Sequence, residues 1–150
     1  MNSGPLRDTA RAMSEENVEI VRRVYEAAAR RDQEAALALY DSGIEWDTSR
    51  RGTPGDMAGS GIYRGHDGLR TWFRSWHEAW EDLVDQLEEL VDAGDRVVSV
   101  STMRGRGRAS GAEVTSRRYS GVWTIRNSRV IRVVWFPTRE EALEVAGLSE

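Results

Sequence analysis

The stretch LVDQLEELVDAGDRVVSVSTMRGRGRASGAEVTSRRYSGVWTIRNSRVIRVVWF, residues 83–136, decides the fold. Its branched and aromatic residues fall into four runs, Leu83–Val91, Arg96–Arg106, Glu113–Arg126 and Arg129–Phe136, which read as strands. Turn chemistry at Asp92–Asp95, Gly107–Ala112 and Asn127-Ser128 separates them, and connections this short imply an antiparallel meander. In the third run, the register that turns Trp123 and Ile125 inward turns Tyr119 and Arg117 the same way. On the fourth, Ile131, Val133 and Trp135 share a face, and Trp135 reads as a cavity wall. Val98, Val100, Val122 and Val134 lie on the opposite face, and a sheet apolar on both faces needs a second cover. A second copy of the chain would supply it, so a homodimer is expected.

Upstream, Ser14 reads as the N-cap of a helix running to about Arg31, with Glu15 and Glu16 in its first turn and Val18, Val21, Tyr25 and Ala28 at helical spacing. Residues 1–13 are then a disordered leader and 14–150 a single domain. Asp32 caps a second, short helix that Gly43 stops, and Ile44–Asp47 is a short strand. Thr48–Gly61 holds Gly52, Pro54, Gly55, Gly59 and Gly61, which predicts a mobile surface loop of the kind that covers sites. From Asp67 to Trp80, Leu69, Trp72, Phe73, Trp76 and Trp80 recur at intervals of three and four, placing three indoles on one helical face. That stripe is core, pocket wall, or both. Downstream, Thr138 with Glu141 is a capping box, and Gly147-Leu148 suits a Schellman end closing on Leu143. The class is α+β, with helices on one face of a curved, mostly antiparallel sheet.

Composition limits the chemistry. The 150 residues fit one domain, and 39% hydrophobic with 31% charged residues describes a soluble globule. There is no Cys, so thiolate nucleophiles, disulfides and cysteine metal sites are excluded. All 21 basic residues are Arg, which removes Schiff-base and P-loop lysines. What remains is carboxylates, Tyr, Ser, Thr, Arg and the two imidazoles of His66 and His77, so acid/base chemistry without a cofactor is expected. A metal site is not expected from two His eleven residues apart. The net charge of −4 disfavours nucleic acid. Arg104-Gly105-Arg106-Gly107-Arg108 has no aromatic stacking partner between Met103 and Tyr119 and reads as a solvated hairpin tip. Neither a secretory h-region nor an 18-residue apolar run occurs, so a cytoplasmic protein without membrane contact is expected.

The element order, with Glu19-Ile20-Val21-Arg22-Arg23-Val24-Tyr25, Gly43-Ile44-Glu45-Trp46-Asp47, Tyr63-Arg64-Gly65-His66-Asp67-Gly68 and Glu140-Glu141-Ala142-Leu143-Glu144-Val145-Ala146-Gly147-Leu148, resembles the SnoaL-like branch of the nuclear transport factor two and ketosteroid isomerase-like superfamily. The resemblance implies a cone-shaped barrel whose curved sheet and helices enclose one cavity, commonly in a homodimer. It does not imply one reaction, since relatives include polyketide cyclases, isomerases, lyases, epoxide hydrolases and proteins that only bind.

By that resemblance Asp47 occupies the place of the isomerase's general base, where an apolar cavity would raise its pKa. The alternative is an Asp that begins the loop by bonding Thr48 or Ser49 backbone groups. The isomerase's oxyanion-hole Tyr falls at Val24 and its protonated Asp at Gly121, and neither side chain can donate a hydrogen bond. Loss of such donors, worth about 3–4 kcal/mol each, disfavours steroid isomerisation. The epoxide hydrolase pattern fails for want of carboxylates beside Arg104 and Arg106. Tyr119 can donate to a ligand carbonyl, or bond a backbone carbonyl as a core Tyr. Trp46, Tyr25, Trp76, Arg117, Trp123, Trp135 and His66 are the candidate ligand contacts, although His66 also suits packing at a helix start. His77 lies on a flank with Arg70 and Arg74. The expected function is a cavity for a small apolar, carbonyl-bearing molecule with proton transfer by Asp47 and Tyr119. A non-catalytic binding module is the alternative.

Overall fold

The chain runs α1 (Gly4–Ala29), α2 (Gln33–Leu37), β1 (Tyr40–Asp47), the one-turn α3 (Gly55–Ala58), β2 (Ile62–Arg64), α4 (Gly65–Ala79), β3 (Trp80–Ala93), β4 (Arg96–Gly107), β5 (Val114–Arg126), β6 (Arg129–Phe136) and α5 (Arg139–Val145). This computed structural model describes residues 4–108 and 114–148, with side chains from residue 9 onward. One six-stranded sheet has the order β2-β1-β6-β5-β4-β3. Every pairing is antiparallel except β1 with β6. The α+β class and the β3–β6 meander are as the sequence implies. None of the described helices is long and apolar enough to cross a membrane.

Two of the three N-caps read from the sequence hold, and so does the C-terminal glycine. Asp32 accepts from the Ala35 amide at 3.1 Å, and Thr138 Oγ1 from the Glu141 amide at 3.2 Å. Gly147, at φ 82°, lets the Leu148 amide reach the Leu143 carbonyl at 2.8 Å. Asn127 and Ser128 both take positive φ, the conformation a two-residue hairpin turn demands.

Four expectations are corrected. Helix α1 begins at Gly4, so Ser14 lies inside it, where its hydroxyl bonds the Asp92 carboxylate while Asn17 Nδ2 donates to Gly94 O at 3.1 Å. Pro5 sits in the first turn, where a missing N–H costs nothing, and nothing between it and Ala29 breaks a helix. The glycine-rich stretch is stitched rather than free. Thr48 Oγ1 donates to Gly59 O at 3.0 Å, Thr53 Oγ1 to Arg50 O at 2.7 Å, and Tyr63 Oη to Gly59 O at 3.1 Å. Gly55 is obligatory there, since a Cβ would lie 2.1 Å from Thr48 O. Arg104 and Arg106 belong to β4 and not to a hairpin tip. The glycine between them seats the Trp80 ring, 3.2 Å from where a Cβ would be, and residues 109–113 lie outside the described part.

The second apolar face of the sheet is covered from within the chain, not by a second copy. Val98, Val122, Val134 and Phe136 pack beneath Ala142, Leu143 and Ala146, so the chain's own α5 is the cover. These valines therefore give no argument for a dimer. On the concave face, Ile20, Val21 and Val24 of α1 and Leu69, Trp72 and Trp76 of α4 close over Val97, Met103, Tyr119, Trp123, Val133 and Trp135. Burying so many rings in one layer contributes apolar stabilisation in proportion to the area removed from water.

Candidate active site

Between the concave sheet and helices α1 and α4 lies a cavity of about 570 Å³, within the range of small-molecule sites. Its walls include Tyr25, Tyr40, Trp46, Trp72, Phe73, Trp76, Tyr119, Trp123 and Trp135. The indole stripe of α4 is therefore both core and wall, with Trp72 and Trp76 stacked at 5.8 Å. Its mouth opens between the C-terminal ends of α1 and α4 and the first residues of β3, where Arg31, His77, Leu83, Val84 and Asp85 lie.

Asp85 is the carboxylate that the sequence reading missed. It pairs with Met103 across the β3–β4 ladder, so like Met103 it faces the concave side. Water reaches it through the mouth, yet the protein mass around it raises its pKa from 3.8 to about 6. No described residue donates a hydrogen bond to it or pairs with it. Its charge acts on two phenols of the cavity, Tyr25 and Tyr119. Burial and then Asp85 push Tyr25 up, and burial raises Tyr119 to about 12, with the Arg117 charge opposing the shift and Asp56 and then Asp85 adding to it. Burial, with Tyr25 second, also raises Tyr40. All three are neutral donors near pH 7.

The hydroxyls differ in availability. Tyr25 Oη donates to Ser99 Oγ at 3.1 Å and lies 3.4 Å from Ser101 Oγ, while Trp123 Nε1 donates to Ser99 Oγ at 2.8 Å. That cluster holds two cavity walls to β4. Tyr119 has no hydrogen-bond partner among the described residues, so its proton is free for a ligand. The indole N–H groups of Trp46 and Trp135 are buried and also lack partners among the described residues. At the mouth, Arg31 Nη1 donates to His77 Nδ1 at 2.8 Å and Nη2 donates to Leu83 O at 3.0 Å. Desolvation and then the Arg31 charge lower the His77 pKa, keeping the imidazole a neutral acceptor.

Of the candidates read from sequence, Tyr25, Trp46, Trp76, Tyr119, Trp123 and Trp135 line this cavity. Asp47, Arg117 and His66 do not. Asp47 is 7% exposed, and it accepts from the Ser49 amide at 2.9 Å and Ser49 Oγ at 2.6 Å, with Arg50 Nη1 3.6 Å away. Strand alternation is the reason: Trp46 points into the cavity, so its neighbour must point away. Arg117 is exposed on β5 beyond Tyr119. His66 Nε2 is 2.9 Å from Tyr40 O and fastens the start of α4 to β1. Asp47→Ala should therefore cost about 1 kcal/mol of stability, the usual worth of such a turn cap, with ligand affinity unchanged. Denaturant unfolding beside a binding titration checks this, and an affinity loss without destabilisation would return Asp47 to the site.

Comparison with known proteins agrees with this fold. Residues 21–133 match the SnoaL-like domain family. An NTF2-like protein from Burkholderia thailandensis is 30% identical with a TM-score of 0.70, over 80% of this chain and 88% of its own. TerC, co-crystallised with polyporic acid, is 21% identical with a TM-score of 0.69, over 88% and 98%. A protein of ketosteroid isomerase-like fold from Catenulispora acidiphila, in complex with trimethylamine, is 16% identical with a TM-score of 0.65, over 87% and 93%. No curated protein matches the chain.

Proposed function

We propose, for a chain that belongs to the SnoaL-like domain family, that its cavity encloses a small, mainly apolar, carbonyl-bearing molecule and moves a proton on it, with Asp85 as base and Tyr119 as hydrogen-bond donor. The observation that carries this reading is Asp85: an unpaired carboxylate, raised to about 6, at an aromatic cavity beside a phenol with a free proton. A base is most effective when its pKa lies near the working pH, because it is then ionised yet still proton-seeking. The phenol would donate its hydrogen bond to the carbonyl oxygen on which charge develops as a carbon-bound proton leaves. Polyporic acid with TerC and trimethylamine with the Catenulispora protein support the idea that this fold accommodates small organic molecules. They are equally compatible with a protein that only binds.

The two readings separate on nitrobenzisoxazole, a small apolar compound whose ring opens when a base removes its carbon-bound proton. The N–O bond breaks as the proton leaves, producing a nitrile and a phenolate. Wild-type protein should accelerate this opening, at a rate that rises through pH 6 and then levels. Tyr119→Phe should slow it about tenfold by removing the donor to the phenolate oxygen, with little change in KM. A rate no better than free acetate would favour the binding module.

A further inference from the structure

Two basic features of the sequence, the Arg70, Arg74 and His77 flank of α4 and the arginine run ending at Arg108, meet in the folded chain. They line an open groove of about 620 Å³ with Gln33 and Glu78. The groove shares Gln33 and His77 with the cavity, so it leads onto the cavity mouth. Arg70 is held by Asp67 at 3.2 Å and Glu34 at 3.5 Å, and Arg108 reaches Glu81 at 3.4 Å with both groups exposed. Arg74 has no partner among the described residues. Arg31 adds a further positive charge at the shared rim.

The cations without an acidic partner and the unpaired carboxylate thus lie at different places along one depression. With Arg70 and Arg108 matched by Asp67, Glu34 and Glu81, the guanidinium groups left without an acidic partner among the described residues are Arg74 in the groove and Arg31 at its rim, beside the single lining carboxylate Glu78, whereas the cavity beyond the mouth presents aromatic faces and the unpaired Asp85. An anionic group would be repelled by Asp85 and attracted to Arg74 and Arg108, and an apolar body would prefer the opposite arrangement. We propose that the groove holds the anionic group of the ligand whose apolar body occupies the cavity. The substrate class is then an apolar carbonyl compound bearing a carboxylate, sulfonate or phosphate at one end. This deepens the reading of the cavity and rests on it. It also orients the substrate, since the charged end fixes which part of the body faces Asp85.

The test uses two fluorescent dyes, neutral phenylnaphthylamine and its sulfonated relative anilinonaphthalenesulfonate, titrated into the full chain at low salt. The Arg74→Gln, Arg108→Gln double variant should weaken the sulfonated dye by about three- to tenfold and leave the neutral dye unchanged. Raising salt should produce the same selective loss in wild type. Equal changes in both dyes, no change in either, or exclusion of the sulfonated dye while the neutral one binds would overturn the groove assignment alone. A mouth-filling variant, Ala28→Trp, should expel both dyes. If it expels neither, or if wild type binds neither, the cavity reading falls and this inference with it.

Discussion

Asp85→Asn is expected to slow nitrobenzisoxazole opening by about a hundredfold or more at neutral pH while raising the melting temperature. The amide matches the carboxylate in shape and cannot accept the proton, so the rate falls without loss of the cavity. The stability gain follows from the direction of the shift. Asp85 titrates near 6 in the folded chain and near 3.8 when unfolded. Between these values the folded state holds a proton that the unfolded state has released, so wild-type stability declines as pH rises through that window and stays lower above it. Water entering by the mouth screens the charge, which limits the penalty to about 1 kcal/mol. The variant should therefore melt above wild type at pH 7 and with it at pH 4. A destabilised variant with wild-type turnover would remove Asp85 from the mechanism.

Gly121→Asp, the change that would install the isomerase's acid at its aligned position, should destabilise the chain by about 4 kcal/mol or more. Gly121 lies on β5 between Tyr119 and Trp123, where a Cβ would stand 2.8 Å from Trp123 Nε1, 3.1 Å from Ser99 Oγ and 3.2 Å from a ring carbon of Trp135. These neighbours are buried strand residues with little freedom to retreat. The Asp variant must displace them and also bury a carboxylate with no cation beside it. Gly121→Ala isolates the steric part and should cost about 1–3 kcal/mol. Denaturant unfolding of both variants reads the two contributions, and a wild-type midpoint for Gly121→Asp would show that this wall yields.

What could be read from the sequence follows the range of the forces involved. Turns and caps depend on neighbours within a few residues, so Asp32, Thr138, Gly147 and Asn127-Ser128 were legible. The parallel pairing of β1 with β6 joins segments about ninety residues apart and leaves no local trace. Strand β2 is only three residues long, too short to show a period. The turn-capping reading of Asp47 also has a signal: once Trp46 is taken as a cavity wall, period-two alternation sends the next residue to the other face. Asp85 had a signal as well, since Leu83, Asp85 and Leu87 alternate and an acid falls on the apolar face. Its place at the mouth depends on how β3 lies along β4, where the register shifts on either side of the Val84–Leu87 segment, and the sequence period alone does not specify that. The cover of the outer sheet face was misread because the capping box at Thr138 identifies a helix without saying where it docks.

The central claim is that Asp85 is a proton-accepting carboxylate at the cavity mouth whose pKa the surrounding protein raises. The pH titration of its side-chain carboxyl carbon by NMR tests this most directly, with Asp85→Asn identifying the resonance. A midpoint near 6 is the result this account predicts, and a midpoint near 3.8 would contradict it.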